Sequence, residues 1–311
     1  MMDSENNISG KKILVVGELL VDIISDENIE SLAVASQFST IQGGSSANLC
    51  ANLKWLGVDA DLVATVGEDN LGIFLINELK AIGLSDRYIH QAPHRQTSVV
   101  LVAKNNHSPD FIPYRNADFA IRRVEDELIQ AAEIVHTTAF ALSREPARSN
   151  IMTALTKAHQ MGKSISVDWN FAPSIWQDDD GKDVLKKILQ LTPLLKISVD
   201  DLERYIGKSL SVEESVEWLD SLNTSAICLT CGKHGVWYKT NKLSWRYKNA
   251  IPVETIRGVT GAGDAFWSGF LSAFILEMSM DDCVNKGLEV ARLKVEKPFP
   301  LYKKENHTIS P

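Results

Sequence analysis

Short, continuously apolar runs recur along the chain, and between them lie segments whose apolar positions repeat every three or four residues. Residues 12–16 (Lys-Ile-Leu-Val-Val) form the first such run and end at Gly17, as expected for a strand covered on both faces. Similar runs at 61–66, 134–137, 164–168, 194–198 and 225–230 predict further strands. The intervening patterns are helical. Leu49, Leu53 and Leu56 share one face, with Gly57 after them. Asp69 is placed to cap a helix that carries Phe74, Leu75, Leu79 and Ile82 inward and stops at Gly83. Residues 146–161 turn Ile151, Leu155 and Ala158 inward before Gly162, and 199–205 and 212–222 supply two more helices. Strand alternating with helix predicts an α/β fold with a mainly parallel sheet and helices on both faces.

Two stretches break this rhythm. Residues 21–41 and 97–114 hold short β-type segments, Ser98-Val99-Val100-Leu101-Val102 and Asp110-Phe111-Ile112-Pro113 among them, with no helix between. They predict a small antiparallel flap able to close over a ligand at the carboxyl ends of the parallel strands. No internal repeat, low-complexity tract or linker interrupts the chain, so residues 1–311 read as one domain. Residues 1–10 and 305–311 read as loose ends.

Composition narrows the function. A chain of 311 residues with 44% hydrophobic and 23% charged content is an ordinary globular one. Its net charge of −8 argues against a nucleic-acid partner. With no apolar run long enough for a bilayer and no signal-type N-terminus, a cytoplasmic protein without a membrane partner is expected. Cys50, Cys228, Cys231 and Cys283 are too few and too scattered for a disulfide framework. The Cys228-x-x-Cys231 spacing lacks a second pair to complete a zinc site and reads as structural thiols.

Candidate chemistry concentrates in Gly258-Val259-Thr260-Gly261-Ala262-Gly263-Asp264-Ala265-Phe266. Phe266, Trp267, Phe270, Leu271, Phe274 and Ile275 follow at helical spacing, so Gly261, Ala262 and Gly263 should form the first turn of a buried helix. The amides there lack intrahelical partners and, with the helix dipole, suit an anion. Asp264 on the same turn can accept the proton of an attacking hydroxyl. Taken alone, Gly-Ala-Gly-Asp reads equally as a tight turn and helix cap. Gly43-Gly44-Ser45-Ser46-Ala47-Asn48 also opens a helix, with glycines that permit close approach and Asn48 able to donate to and accept from hydroxyls; a glycine turn is the alternative. Asp22 lies beyond the first strand, where a carboxylate can accept from vicinal sugar hydroxyls or simply be a solvated acid. Asp168-Trp169-Asn170 ends one strand, and Thr230-Cys231-Gly232-Lys233-His234-Gly235 ends another. In the latter, a hydroxyl and an open amide suit a nucleotide phosphate, or the glycines make a hairpin.

From about Lys12 to Tyr302 the chain resembles the ribokinase or PfkB-type carbohydrate kinases. The Gly43-Gly44 block and the Gly261-Ala262-Gly263-Asp264 block are similar to that family's two signatures, in order and at suitable separation. The resemblance implies a three-layer α/β/α domain with a β-sheet lid, ATP and Mg²⁺, and transfer of the γ-phosphate to a sugar hydroxyl. It implies Asp264 as base, Gly261, Ala262 and Gly263 as anion hole, and a lid that mediates a homodimer. Asp22, Gly43, Gly44, Ser45, Asn48 and Asp168 fall with the sugar site, and Ser198, Thr230, Gly232 and Gly235 with the nucleotide site. Pro113-Tyr114-Arg115-Asn116-Ala117 resembles the Tyr-Arg segment of fructokinases and ketodeoxygluconate kinases, so Arg115 is expected either to meet the acceptor or to be a surface arginine.

The chain also departs from the family pattern. Where fructokinase-like members carry Asp-x-Asn-x-Arg, Ala172 replaces the arginine. Ser198-Val199-Asp200-Asp201 stands for Asn-x-x-Glu, leaving Asp201 to organise metal-bound water. Gly258-Val259 stands for Asp-Thr, which argues against a monovalent-cation site. The expectation is an ATP-dependent sugar kinase of fructokinase type acting on a neutral sugar. Ketodeoxygluconate kinase, ribose kinase and a sugar sensor with weakened catalysis are the alternatives. No Gly-x-Gly-x-x-Gly turn follows the first strand and no Gly-x4-Gly-Lys-Ser/Thr occurs, which disfavours dinucleotide and P-loop enzymes.

Overall fold

A computed structural model describes residues 10–104, 111–176, 180–240, 243–297 and 300–303. The expectations for 1–9, Asp110 within the lid and the 305–311 tail lie outside the described residues. In chain order the elements are β1 (Lys12–Val16), β2 (Leu20–Ser25), β3 (Phe38–Gly43), α1 (Ser45–Trp55), β4 (Asp59–Gly67), α2 (Asn70–Ala81), β5 (Ile89–Ala92), β6 (Val99–Val102) and β7 (Phe111–Tyr114). Then follow α3 (Asp126–Ala131), β8 (Ile134–Thr138), α4 (Ala139–Leu142), α5 (Ala147–Gln160), β9 (Ser164–Asp168), α6 (Gly181–Leu189), β10 (Leu194–Ser198) and α7 (Val199–Ile206). The chain ends with α8 (Val212–Asp220), β11 (Ala226–Thr230), β12 (Val236–Thr240), β13 (Arg246–Lys248), α9 (Ala262–Phe274) and α10 (Met280–Val295).

The main sheet has the order β13-β12-β11-β10-β9-β8-β1-β4-β5. From β11 to β5 every neighbour is parallel, and only the β11–β12 and β12–β13 pairings at one edge are antiparallel. Its strands bury side chains on both faces, which is why they read as unbroken apolar runs. One face packs Ile13, Val15 and Leu62 under Leu49, Leu75, Trp267 and Val284, from α1, α2, α9 and α10. The other packs Leu14, Val167 and Ile197 under Ile129, Ile151, Val184, Leu202 and Leu219, from α3 and α5 to α8. The result is the expected three-layer α/β/α arrangement.

The lid is a second sheet, β3-β2-β6-β7. It is not purely antiparallel: β2 and β6 run parallel. The chain leaves β2 through β3 and returns only after α1, β4, α2 and β5, a crossover long enough to bring β6 in the same direction. Asp69 caps α2 as the sequence predicts, and Ser198, read there only as a nucleotide-site residue, also caps a helix. Asp69 accepts from Gly72 N–H at 2.8 Å, and Ser198 caps α7 through Asp201 N–H at 3.0 Å. No described helix is long and apolar enough to cross a membrane.

Candidate active site

The start of α9 carries the turn predicted to bind an anion. Gly261 takes a left-handed φ of 78° at the N-cap, which an L side chain adopts only with strain. The turn closes with Ala262 N–H donating to Val259 C=O at 3.0 Å. Ala262 is therefore corrected as an anion-hole donor, because its amide is already engaged. The N–H groups of Gly261, Gly263 and Asp264 have no acceptor among the described residues and open at the positive end of the helix.

Asp264 sits in the third helical position, where its carboxylate accepts from Ser45 Oγ at 2.7 Å and Asn48 Nδ2 at 3.1 Å. Both donors belong to the first turn of α1, so the two glycine-rich blocks, more than 200 residues apart, meet on one carboxyl group. Burial and then repulsion by Asp168 push the Asp264 carboxyl up to about 6, against the pull of Ser45, Lys196 and Asn48.

Asp22 faces the same recess from β2. Burial, then the charges of Asp264 and Glu18, push it up to about 7. Gly43 makes room for it: a Cβ there would stand 2.2 Å from the Asp22 carboxyl carbon. Gly44, at φ 96°, lies where a Cβ would stand 2.6 Å from the Glu18 carbonyl oxygen. Sequence reading did not single out Glu18 or Tyr302. Glu18 is buried and accepts from Ser46 N–H (3.2 Å), Ser46 Oγ (2.9 Å) and Thr138 Oγ1 (2.7 Å), which fixes the start of α1. Tyr302 accepts from Gln42 Nε2 and donates to Asn48 Oδ1, both at 3.2 Å, which orients the Asn48 amide toward Asp264. Neither lies in a motif; long-range pairing alone reveals them.

Asp168 is not free to hold an acceptor. Lys196 is its register neighbour across β9 and β10, and the ammonium donates to both carboxylate oxygens at 3.0 and 2.8 Å in a buried pair. The Lys196 Nζ lies 2.8 Å from where a Gly263 Cβ would stand, so Gly263 lets the α9 turn rest on a paired lysine.

Arg115 also departs from both expectations, being neither a surface arginine nor an available ligand. Its buried guanidinium donates to Asp118 Oδ2 through Nε (2.8 Å) and Nη2 (2.6 Å), and reaches Phe140 C=O (3.1 Å) and Ser143 Oγ as well. It pins the end of the lid to α4, which follows β8. Ala172, which replaces the expected arginine, follows an aromatic box of Trp169, Phe171, Trp176 and Tyr205 with ring centroids 5.2–6.3 Å apart.

Along the neighbouring strand ends, Ser198 Oγ donates to Asp201 Oδ2 at 2.6 Å while capping α7, and Arg204 pairs with Asp201 Oδ1 at 2.8 Å. Burial pushes Asp201 up to about 6 despite Lys196 nearby. Thr230 ends β11, and Gly232 follows with φ 54° and open space around its Cα. Gly235 answers to packing, since a Cβ there would stand 2.0 Å from the Lys248 carbonyl oxygen of β13. The four cysteines are free; Cys50, Cys228 and Cys283 are buried. No cluster of three metal-binding side chains occurs among the described residues.

Comparison with known proteins gives the family. The chain is 33% identical over 286 residues to an ATP-dependent 6-phosphofructokinase of Thermoanaerobacterium thermosaccharolyticum, covering 91% of this chain and 87% of that protein. The fructokinase of Halothermothrix orenii superposes with a TM-score of 0.80 at 31% identity, covering 90% of this chain and 98% of that one. An uncharacterized sugar kinase of Pyrococcus horikoshii in complex with ATP superposes at 0.79 with 26% identity, over 93% and 94% of the two chains. The family model for pfkB family carbohydrate kinases matches residues 10–303, and this chain belongs to that family.

Proposed function

We propose that the protein transfers the γ-phosphoryl group of ATP to a hydroxyl of fructose. The observation that carries this reading is the meeting of Ser45, Asn48 and Asp264 beside the unpartnered amides of the α9 turn. Asp264 accepts the proton of the acceptor hydroxyl as its oxygen attacks. The new O–P bond forms as the bond to the β-phosphate bridging oxygen breaks, and ADP leaves. Gly261, Gly263 and Asp264 N–H groups hold the charge on the transferring group. Asp22 is the acceptor-side carboxylate: it has no hydrogen-bond partner among the described residues and faces Asp264, so sugar hydroxyls fit between them.

The nucleotide is assigned to the ends of β10 and β11, where Thr230 and the open Gly232 amide are available. Ile251 and Ile256, exposed in the segment leading to α9, offer apolar cover for an adenine ring. Mg²⁺ held by the phosphates would offset their charge during transfer. Asp201, at the start of α7, would act on such an ion through water. Four free thiols and an ATP donor suit the cytoplasm.

A phosphorylated acceptor, fructose 6-phosphate, is a second reading, favoured by one observation besides the 33%-identical relative. Arg144 stacks its guanidinium 5.6 Å above Phe119 near Arg115, and its buried Nε has no partner among the described residues, so it has a donor available for a phosphate. ADP release measured with fructose, fructose 6-phosphate, ribose and 2-keto-3-deoxygluconate separates these cases. Fructose is expected to turn over fastest, and Asp264→Asn to lower kcat by about 10²–10⁴-fold while sugar still binds. Wild-type turnover by that variant would reject the assignment of the base.

A further inference from the structure

Helix α10 carries a lysine that the scheme above leaves unused. Lys294 lies one residue before the end of α10, and its Cε stands 3.6 Å from where a Cβ would sit on Gly261. The loop before α9 is tied to the same place, since Arg257 N–H donates to Val295 C=O at 2.8 Å. Lys294 is half-buried, yet its ammonium has no hydrogen bond or ion pair among the described residues. Lys196 makes the contrast: it touches the other side of the same turn and is held by both oxygens of Asp168. Burial holds the Lys294 ammonium below its ordinary range, only partly offset by Asp264.

A half-buried ammonium with no hydrogen-bonded counter-ion is less stable than one fully in water. Here it stands beside three amides that also lack acceptors, at the positive end of a 13-residue helix. The missing partner is therefore an anion with several acceptor oxygens, placed at the tip of α9. We propose that Lys294 is a phosphate-binding residue of this enzyme, donating from α10 to the phosphoryl group held at the α9 turn. The inference rests on the kinase reading of the site. During transfer the ammonium keeps its proton; the acceptor's proton goes to Asp264, and Lys294 supplies fixed positive charge to the oxygens of the group in flight. An acidic chain that must hold a polyanion thereby gains one unshared cation at the reacting centre.

Two readouts test this apart from the kinase assignment. Calorimetry with inorganic pyrophosphate needs no turnover. Lys294→Met should bind it at least about tenfold more weakly than wild type, in line with the loss of a charge-assisted hydrogen bond, and Lys286→Met, a surface control on the same helix, should bind it normally. In steady state with saturating sugar, Lys294→Met should lose about ten- to a hundredfold in kcat with the sugar KM unchanged, and Lys294→Arg should recover part of it. A melting temperature equal to or above wild type would show that the loss is not one of folding. Pyrophosphate affinity and kcat both at wild-type level in Lys294→Met would overturn the proposal. Weakened pyrophosphate binding without sugar phosphorylation by the wild type would keep Lys294 as a phosphate ligand and remove the kinase reading instead.

Discussion

Asp264 must be ionised to accept a proton, and its carboxyl is pushed up to about 6 by burial and by Asp168. With sugar and ATP saturating, turnover should therefore fall as pH drops through about 6 and level off above it. The same shift bears on stability with the opposite preference. A carboxyl harder to ionise in the folded chain than in the unfolded one favours folding below the unfolded value near 4. That contribution is lost as pH rises from there through about 6. Asp264→Asn should thus stabilise the ligand-free protein by about 2 kcal/mol at pH 7.5, less at pH 5, in thermal melts compared at the two values; a gap widening toward acid would contradict it. At this scale the residue types of the site were legible and their partners were not. Asp264, Ser45 and Asn48 lie in recognisable blocks. Asp168 and Arg115 read as ligands because Lys196 across the sheet and Asp118 three residues on give no local sign of the pairing that consumes them.

Elements with buried strands or capped amphipathic helices announce themselves in the sequence, whereas α10 and the edge strands β12 and β13 do not. Strands β12 and β13 are only half covered and carry Lys239, Arg246 and Lys248, so no apolar run marks them. Helix α10 carries charge along much of its length, and what fixes it is glycine. A Cβ on Gly269 of α9 would stand 2.6 Å from the Lys286 carbonyl oxygen, and one on Gly287 of α10 would stand 2.8 Å from the Phe266 ring. The two helices touch backbone to backbone, and that contact holds α10 where Lys294 reaches Gly261. Gly269→Ala should force them apart and destabilise the protein by about 1–3 kcal/mol. Because the displaced helix carries Lys294, turnover should fall further than the folded fraction does, measured by denaturant titration beside kcat. A variant with reduced stability and full specific activity would separate the packing from the chemistry.

At the scale of the whole molecule, the lid sheet leaves apolar side chains uncovered by its own chain. Period-two alternation puts Asp22 on the face toward the α9 turn, and puts Ile23, Phe38, Leu101, Ile112 and Tyr114 on the opposite face through the pairings of β2, β3, β6 and β7. Part of that face packs on the main core, through buried Val21 with Ile23 and Val99, but Phe38, Ile112 and Tyr114 on it are 39%, 42% and 61% exposed, on the two outermost strands of the lid sheet. Apolar side chains gathered on a small sheet with two unpaired edges suit burial against a second copy, which supports the homodimer proposed from the resemblance. The wild-type protein should then elute with the mass of two chains in light scattering, and Ile112→Glu should shift it toward one. Since the same sheet carries Asp22 on its other face, loosening the lid should also raise the KM for the sugar while leaving the KM for ATP near its starting value. A wild-type monomer, or a monomeric Ile112→Glu with an unchanged sugar KM, would show that the lid holds its acceptor carboxylate without help from a partner.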